Sequence, residues 1–307
     1  MLKYMGKRIL IGIVSMFVLV TAAFFLTRQM PGSPFQTANV SDKVLEQLEE
    51  AYGLDESVPV QYQKYITGLF KGNLGMSYKK PGVTVAEVIK RAWPVTVKLG
   101  GLAVLVSLVF GSLLGIWQAS SRFSGVKNTI WCGTLLGSGI PNFVAALLLA
   151  LIFGVRLHLL PITGLGGWKN YILPVISLSL YPTCVITRIM NNAFREEMKK
   201  DYVILAKAKG LTWAQIVMTH ILKNAGIPVL NYAGPAAAFL LTGSFVVESI
   251  FTIPGLGREF VNSIANRDYT LILGLTIFMG AVVIIINLLV DLLCAWMNPR
   301  VRKGILE

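Results

Sequence analysis

Few residues in this 307-residue sequence have the types and spacing that chemistry requires. Two acids, Glu248 and Asp291, stand in long apolar runs, where a carboxyl group could relay a proton. His158 and His220 have no second ligand spaced for a metal and read as single polar loop residues. Cys132, Cys184 and Cys294 lie inside apolar segments and form no C-x-x-C, which indicates neither a disulfide framework nor a zinc site. No G-x-x-x-x-G-K-[ST] occurs, so the chain offers no phosphate-cradling loop for ATP. As read, it carries no catalytic residue, no metal ligand and no cofactor of its own, and is not an enzyme.

The meaning of the two acids depends on the elements that carry them. Hydrophobic residues make up 54% of the chain and charged residues 14%, whereas soluble domains are about a quarter charged. A hydrocarbon core about 30 Å thick needs roughly 20 helical residues to cross it. Six stretches qualify: residues 9–27, 95–118, 130–153, 171–190, 229–251 and 270–296. The fold class is therefore an all-α integral membrane protein with six transmembrane helices. Gly, Ala and Ser are frequent in the second and fifth stretches, as in helices packed closely on one another. Pro141, Pro174, Pro182 and Pro235 fall in or near spans, where neighbouring helices can satisfy the freed backbone groups. On this register Glu248 lies about 29 Å past the inner end of the fifth span, and Asp291 about 7.5 Å from the inner end of the sixth. Neither sits mid-membrane, and both read as polar groups satisfied at an interface. Asn287, one turn before Asp291, is placed to share its packing contact.

The formal charge of +13 points first to loops beside an anionic leaflet rather than to nucleic acid. With the N-terminus placed inside, the inner segments hold fifteen basic residues against four acids, and the two short outer loops hold four basic residues. Both termini are thus expected in the cytoplasm. The first span follows the basic stretch KYMGKR, as a signal peptide does, but its apolar run is long and no A-x-A site follows, so it is read as retained.

Between the first two spans lies a segment read as a small external helical module. Residues 41–53 form an amphipathic pattern closed by Gly53, and further helices are expected over 60–70 and 83–91. It is either a folded spacer or a docking surface. Residues 191–228 are more telling. Helical stretches over 194–209 and 212–224 flank Gly210, the first with Phe194, Met198, Tyr202 or Ile204, and Leu205 at helical spacing, and the second with Thr212 as candidate N-cap. A glycine that permits positive φ between two helices makes a compact elbow. On these grounds alone it is either a docking element for another protein or a basic hairpin lying on anionic lipid.

The elbow resembles the cytoplasmic motif of binding-protein-dependent permeases, the membrane subunits of ATP-binding-cassette importers, and more narrowly the peptide and nickel branch. The matching residues are Asp201-Tyr202-Val203, Ala206-Lys207-Ala208-Lys209-Gly210-Leu211, His220, Asn224 and Pro228. The resemblance extends over nearly the whole chain, through PGSPF, YGLDESVPVQY, GNLGMS, PNF, VVESIFTIPGLGREF, RDY, NLLVDLL and NPR. It departs at RIMNNAFREEM, where the family often has a second arginine, and in lacking the Glu-Ala-Ala start of the wider superfamily. The opening MLKYMGKR with PGSPF is most similar to oligopeptide permeases; dipeptide, nickel or metallophore uptake is the alternative within the same architecture.

The resemblance implies a type I importer permease fold, MetI-like, divided into a first helix with its tip (1–30), the external segment (31–93), a permease core (94–297) and a tail (298–307). It implies that Asp201, Tyr202, Ala206, Ala208 and Gly210 couple to an ATPase, with Lys207, Lys209 and Leu211 in the same stretch. Glu248, Pro254, Gly255 and Gly257 are candidates for an external gate or binding-protein contact. The implied partners are a second homologous permease subunit, two ATPase subunits holding ATP and magnesium, an extracellular or periplasmic binding protein and the bilayer of a bacterial cell membrane. A stand-alone channel would need a filter-like repeat, and none is visible.

Overall fold

The computed structural model describes residues 2–30, 34–35 and 42–297. Residues 31–33 of the PGSPF motif, Ser41 and the whole tail with its NPR motif lie outside the described residues. Five helices are long and apolar enough to cross a membrane, and a bent pair makes a sixth crossing if counted as one. They are α1 (Leu2–Arg28), α4 (Val85–Ser120), α7 (Lys169–Glu197), the run through α9 (Trp213–Ile216) and α10 (Leu222–Thr242), and α13 (Tyr269–Met297). The bent pair is α5 (Ser124–Gly139) and α6 (Asn142–Leu149), the latter prolonged by a wider π turn over Ala150–Arg156. Among the described residues strand pairing is limited to one isolated bridge, Met76 to Thr84.

Three expectations change. The third span is broken, bending by 102° between α5 and α6. Ile140 takes an extended conformation (φ −89°, ψ 118°) because the residue before a proline is pushed out of the helical region, and Pro141 then caps α6. The helix expected over 83–91 is the first part of α4, started by a capping box in which Thr84 and Glu87 satisfy each other's backbone N–H. At 36 residues and about 54 Å, α4 outreaches the hydrocarbon core, so part of the helix stands clear of it. The fifth span ends at Thr242, because Gly243 turns the chain at φ +100° into a short helix α11 (Phe245–Ile250).

The bundle is built on α4. It packs most extensively on α7, and then on α10. Small residues permit this approach: a Cβ on Gly111 would lie 2.8 Å from Ile186 Cβ, and one on Gly115 would lie 2.6 Å from the Thr187 carbonyl oxygen. Gly115→Val therefore has to push α7 away. Its expected cost is about 1–3 kcal/mol, read as a lowered melting temperature of the detergent-purified protein. Helix α1 packs along α13, and Arg8 meets Asp291 at 3.1 Å, which gives that acid a specific ion-pair partner.

At the other end of the bundle, α2 (Asp42–Ala51) and α3 (Val58–Phe70) lie over the ends of α1 and α13, where Thr21 Oγ1 and Tyr62 Oη are 2.7 Å apart. The buried Asp268 carboxylate accepts from Ser77 Oγ and from the backbone N–H of Tyr78 at 3.1 Å and Leu271 at 3.3 Å. This one side chain caps α13 and ties the GNLGMS and RDY motifs together.

Candidate functional site

The elbow is built from two stop–start signals in immediate succession. Helix α7 ends at Glu197, and α8 (Asp201–Ala208) starts after Lys200 in an extended conformation. Gly210 then takes φ +81°, with its N–H donating to the Lys207 carbonyl at 3.0 Å and the Leu211 N–H donating to the Ala206 carbonyl at 3.2 Å. That bond pair is a Schellman stop. Two residues later Thr212 and Gln215 form a capping box, with the Thr212 N–H 2.9 Å from Gln215 Oε1, and α9 begins. Thr212 is the expected N-cap, and Gly210 has the expected left-handed backbone.

The elbow is fastened to its own bundle. Val203 and Ala206 are buried in a cluster with Met190, Phe194, Ile216 and Ile221. Glu197 accepts from Tyr202 Oη and Lys200 Nζ, each at 2.5 Å. Asn224 Nδ2 lies 3.4 Å from the same hydroxyl, and the Tyr202 ring stacks on His220 at 6.2 Å. Burial, and then the hydrogen bond to Glu197, push the Tyr202 hydroxyl above its ordinary range. These contacts join α7, α8 and the start of the fifth span, so a force on α8 reaches two membrane helices.

The burial pattern corrects one reading and locates the rest. The expected helix over 194–209 is interrupted at Lys199–Lys200, which resets its phase, so Leu205 and Ile204 point outward, 56% and 64% exposed. Ala206, expected to couple to an ATPase, is buried inside the elbow, and Tyr202 is half-buried in its internal network. Asp201, Lys207, Ala208, Lys209, Gly210 and Leu211 are exposed. Ile204 and Leu205, read from sequence on the apolar side of the helix, instead give α8 an exposed apolar surface, and Met218, which sequence reasoning did not single out, is exposed in the next helical stretch. The Val203/Ala206 pair, three residues apart, is the signal that could have shown Ile204 and Leu205 to face outward.

The candidate gate forms a knot at the opposite end. Glu248 is fully buried rather than at an interface, because α11 folds back over the bundle instead of prolonging the fifth span. Its carboxylate accepts from Thr96 Oγ1 of α4 at 3.2 Å and from the Arg258 N–H at 2.8 Å. Thr96 Oγ1 in turn accepts the Leu256 N–H at 2.7 Å. The acceptor site is thus the N-terminus of α12 (Leu256–Ala265), where a carboxylate offsets unpaired donors and the helix dipole. Gly243, Gly255 and Gly257 wall the carboxylate so closely that a Cβ on Gly255 would lie 2.5 Å from its carbon. Glu248, Gly255 and Gly257 are therefore in one site, while Pro254 is exposed on the adjoining turn.

Burial pushes the Glu248 carboxyl up to about 7, against the pull of the Arg258, Thr96, Ser244 and Gly257 donors. Beside the knot Thr252 holds φ +55°, which a β-branched residue resists. Thr252→Gly is expected to stabilise the protein by about 1 kcal/mol in chemical denaturation.

The chain has relatives in both sequence and fold. Residues 111–303 match the family described as binding-protein-dependent transport system inner membrane component, and residues 1–100 match the N-terminal region of such components. The chain is 40% identical over 308 residues to the oligopeptide transport system permease protein OppB of Haemophilus influenzae, covering 98% of this chain and all of that one. It is 38% identical over 302 residues to the dipeptide transport system permease protein DppB of Lactococcus lactis, with the same coverage of each. Inward-facing MetNI, a methionine ABC transporter, has a chain that superposes with a TM-score of 0.56 at 16% identity, over 69% of this chain and 97% of that one. At that identity the likeness concerns the fold.

Proposed function

Since the chain belongs to the family of binding-protein-dependent transport system inner membrane components, we propose that it is one of two permease subunits of an ATP-driven peptide importer. The names of the OppB and DppB relatives support a peptide cargo, and their equal coverage leaves oligopeptide and dipeptide uptake as parallel readings of one architecture. The protein sits in a bacterial cell membrane with both termini in the cytoplasm. A homologous second permease lines the other half of the path, two separate ATPase subunits bind ATP and magnesium, and a soluble binding protein delivers the cargo outside.

The elbow carries this reading. An exposed apolar surface of Ile204 and Leu205 on α8, flanked by Asp201, Lys207 and Lys209, has the composition of a surface that another protein covers. Its core is shared with α7 and α10, so closure of two ATPase subunits would move those helices as rigid levers. Asp201, Ala208, Gly210 and Leu211 belong to the contact surface, and Tyr202 and Ala206 to the fastening behind it. At the outer end the Glu248 knot, with Pro254 on its exposed turn, holds the gate and the binding-protein contact.

The test is reconstitution. The chain with its sister permease, ATPases and binding protein should take up peptide in liposomes only with ATP, and a cysteine at Leu205 should cross-link to an ATPase subunit. Transport or ATP hydrolysis by this chain alone would overturn the reading, as would labelling of residues 206–210 from outside intact cells.

A further inference from the structure

At the end of the bundle opposite the elbow, α2 and α3 roof a cavity of about 550 Å³ over the ends of α1 and α13. That is within the range of small-ligand sites. Its polar lining is short of partners. Arg28 Nε and Nη1, Glu56 Oε2, Gln61 Oε1 and Tyr65 Oη are all buried, and among the described residues none has a hydrogen-bond partner. Buried polar atoms in folded proteins nearly always have a partner in protein, water or ligand, so five around one cavity give it a strongly polar lining with unused donors and acceptors.

The geometry holds these groups in place before anything binds. Gln61, only 8% exposed, donates from Nε2 to the Leu54 carbonyl at 3.1 Å and the Glu56 carbonyl at 2.7 Å, which leaves Oε1 as the free acceptor. Lys64 Nζ pairs with Glu56 Oε1 and not with Oε2. The Arg28 guanidinium lies 5.0 Å from the Phe24 ring centre and 5.2 Å from that of Tyr269, two cation–π contacts that favour its position. Burial pushes the Tyr65 hydroxyl well above the ordinary phenol range, so it stays protonated as a donor.

Two unmet donor nitrogens on a cation call for an oxyanion, and two unmet acceptors, one on a carboxylate, call for a hydrogen-bonding cation. We propose that this cavity binds a zwitterion bearing a primary ammonium and an oxyanion, the oxyanion on Arg28 and the ammonium on Glu56 and Gln61. Two sources carry that chemistry at a membrane surface: the headgroup of phosphatidylethanolamine and a free peptide or amino acid. The inference does not depend on the transport assignment.

Native mass spectrometry of the purified full-length protein, titrated with phosphatidylethanolamine, phosphatidylglycerol and phosphatidylcholine, tests the lipid source. Equilibrium dialysis of delipidated protein against radiolabelled dialanine tests the soluble one. Glycerol lacks the ammonium, and choline's quaternary nitrogen cannot donate to Glu56 or Gln61. A lipid occupant should therefore favour ethanolamine at least about tenfold over both, whereas a soluble one should give saturable dialanine binding. In either case Arg28→Gln and Glu56→Gln should each weaken binding at least about tenfold. Melting curves establish that the variants are folded, and the wild-type headgroup comparison stands even if Arg28→Gln is not. Equal binding of the three lipids together with no saturable dialanine binding would overturn the proposal, as would binding indifferent to both folded variants.

Discussion

Gly210→Val should insert and assemble normally, yet lose at least about tenfold of its ATP-driven uptake, with ATP hydrolysis by the complex falling much less. The reason lies in the backbone. A Cβ at Gly210 meets no atom within 4 Å, so no clash inside this chain is involved. The cost comes from φ +81°, where valine is strained by about 1–3 kcal/mol. The Schellman stop and the capping box at Thr212 are separated by Leu211 alone, so relaxing that strain turns α8 relative to α9. Asparagine tolerates the left-handed region, so Gly210→Asn should keep most of the uptake. Uptake and ATPase assays on the two variants separate the causes. Equal damage by Asn and Val would mean that the ATPase needs an atom-free surface at position 210, and wild-type uptake in Val would remove the elbow from the coupling path. Leu205→Asp complements the pair, because it charges the exposed tip without touching the turn.

The elbow was legible because its signals are local. Thr212 with Gln215, and Gly210 between two apolar-periodic stretches, announce a start and a stop within a few residues. The crossing helices were legible for a similar reason, since continuous apolar length needs no tertiary partner to be recognised. Phase and direction were not legible. The interruption at Lys199–Lys200 has no proline or glycine to mark it, and it turned Leu205 from an inner to an outer residue. The fold-back after Gly243 carries an apolar run, FVVESIF, that reads as a continued span in sequence. Thr96, some 150 positions earlier, and the Arg258 N–H show why Glu248 can be enclosed there. The five unpartnered atoms under α2 and α3 belong to residues 28 to 65, and nothing in their spacing indicates that they share a cavity.

Glu248→Ala should be among the most damaging single changes at this end of the bundle. It removes the acceptor for Thr96 and for the first N–H groups of α12, and it leaves a void inside a glycine cradle that cannot collapse onto it. A cost of roughly 3–5 kcal/mol is expected, enough to lower the yield of assembled protein. Glu248→Gln keeps the shape and one acceptor oxygen, so its cost should be smaller, and its pH behaviour is the sharper test. The folded carboxyl titrates near 7 against an ordinary value of 4.5, so the folded state holds this proton more tightly than the unfolded chain does. Its contribution to stability is therefore complete below pH 4.5 and is lost as pH rises through 7. Wild-type melting temperature should fall across that window relative to Glu248→Gln, in which the group no longer titrates while every other acid and histidine is shared. Parallel pH profiles would mean that the Arg258, Gly257 and Thr96 donors outweigh burial and keep the carboxylate ionised throughout. A steeper fall in wild type would instead mean that the link between α4 and α12 loosens near neutral pH.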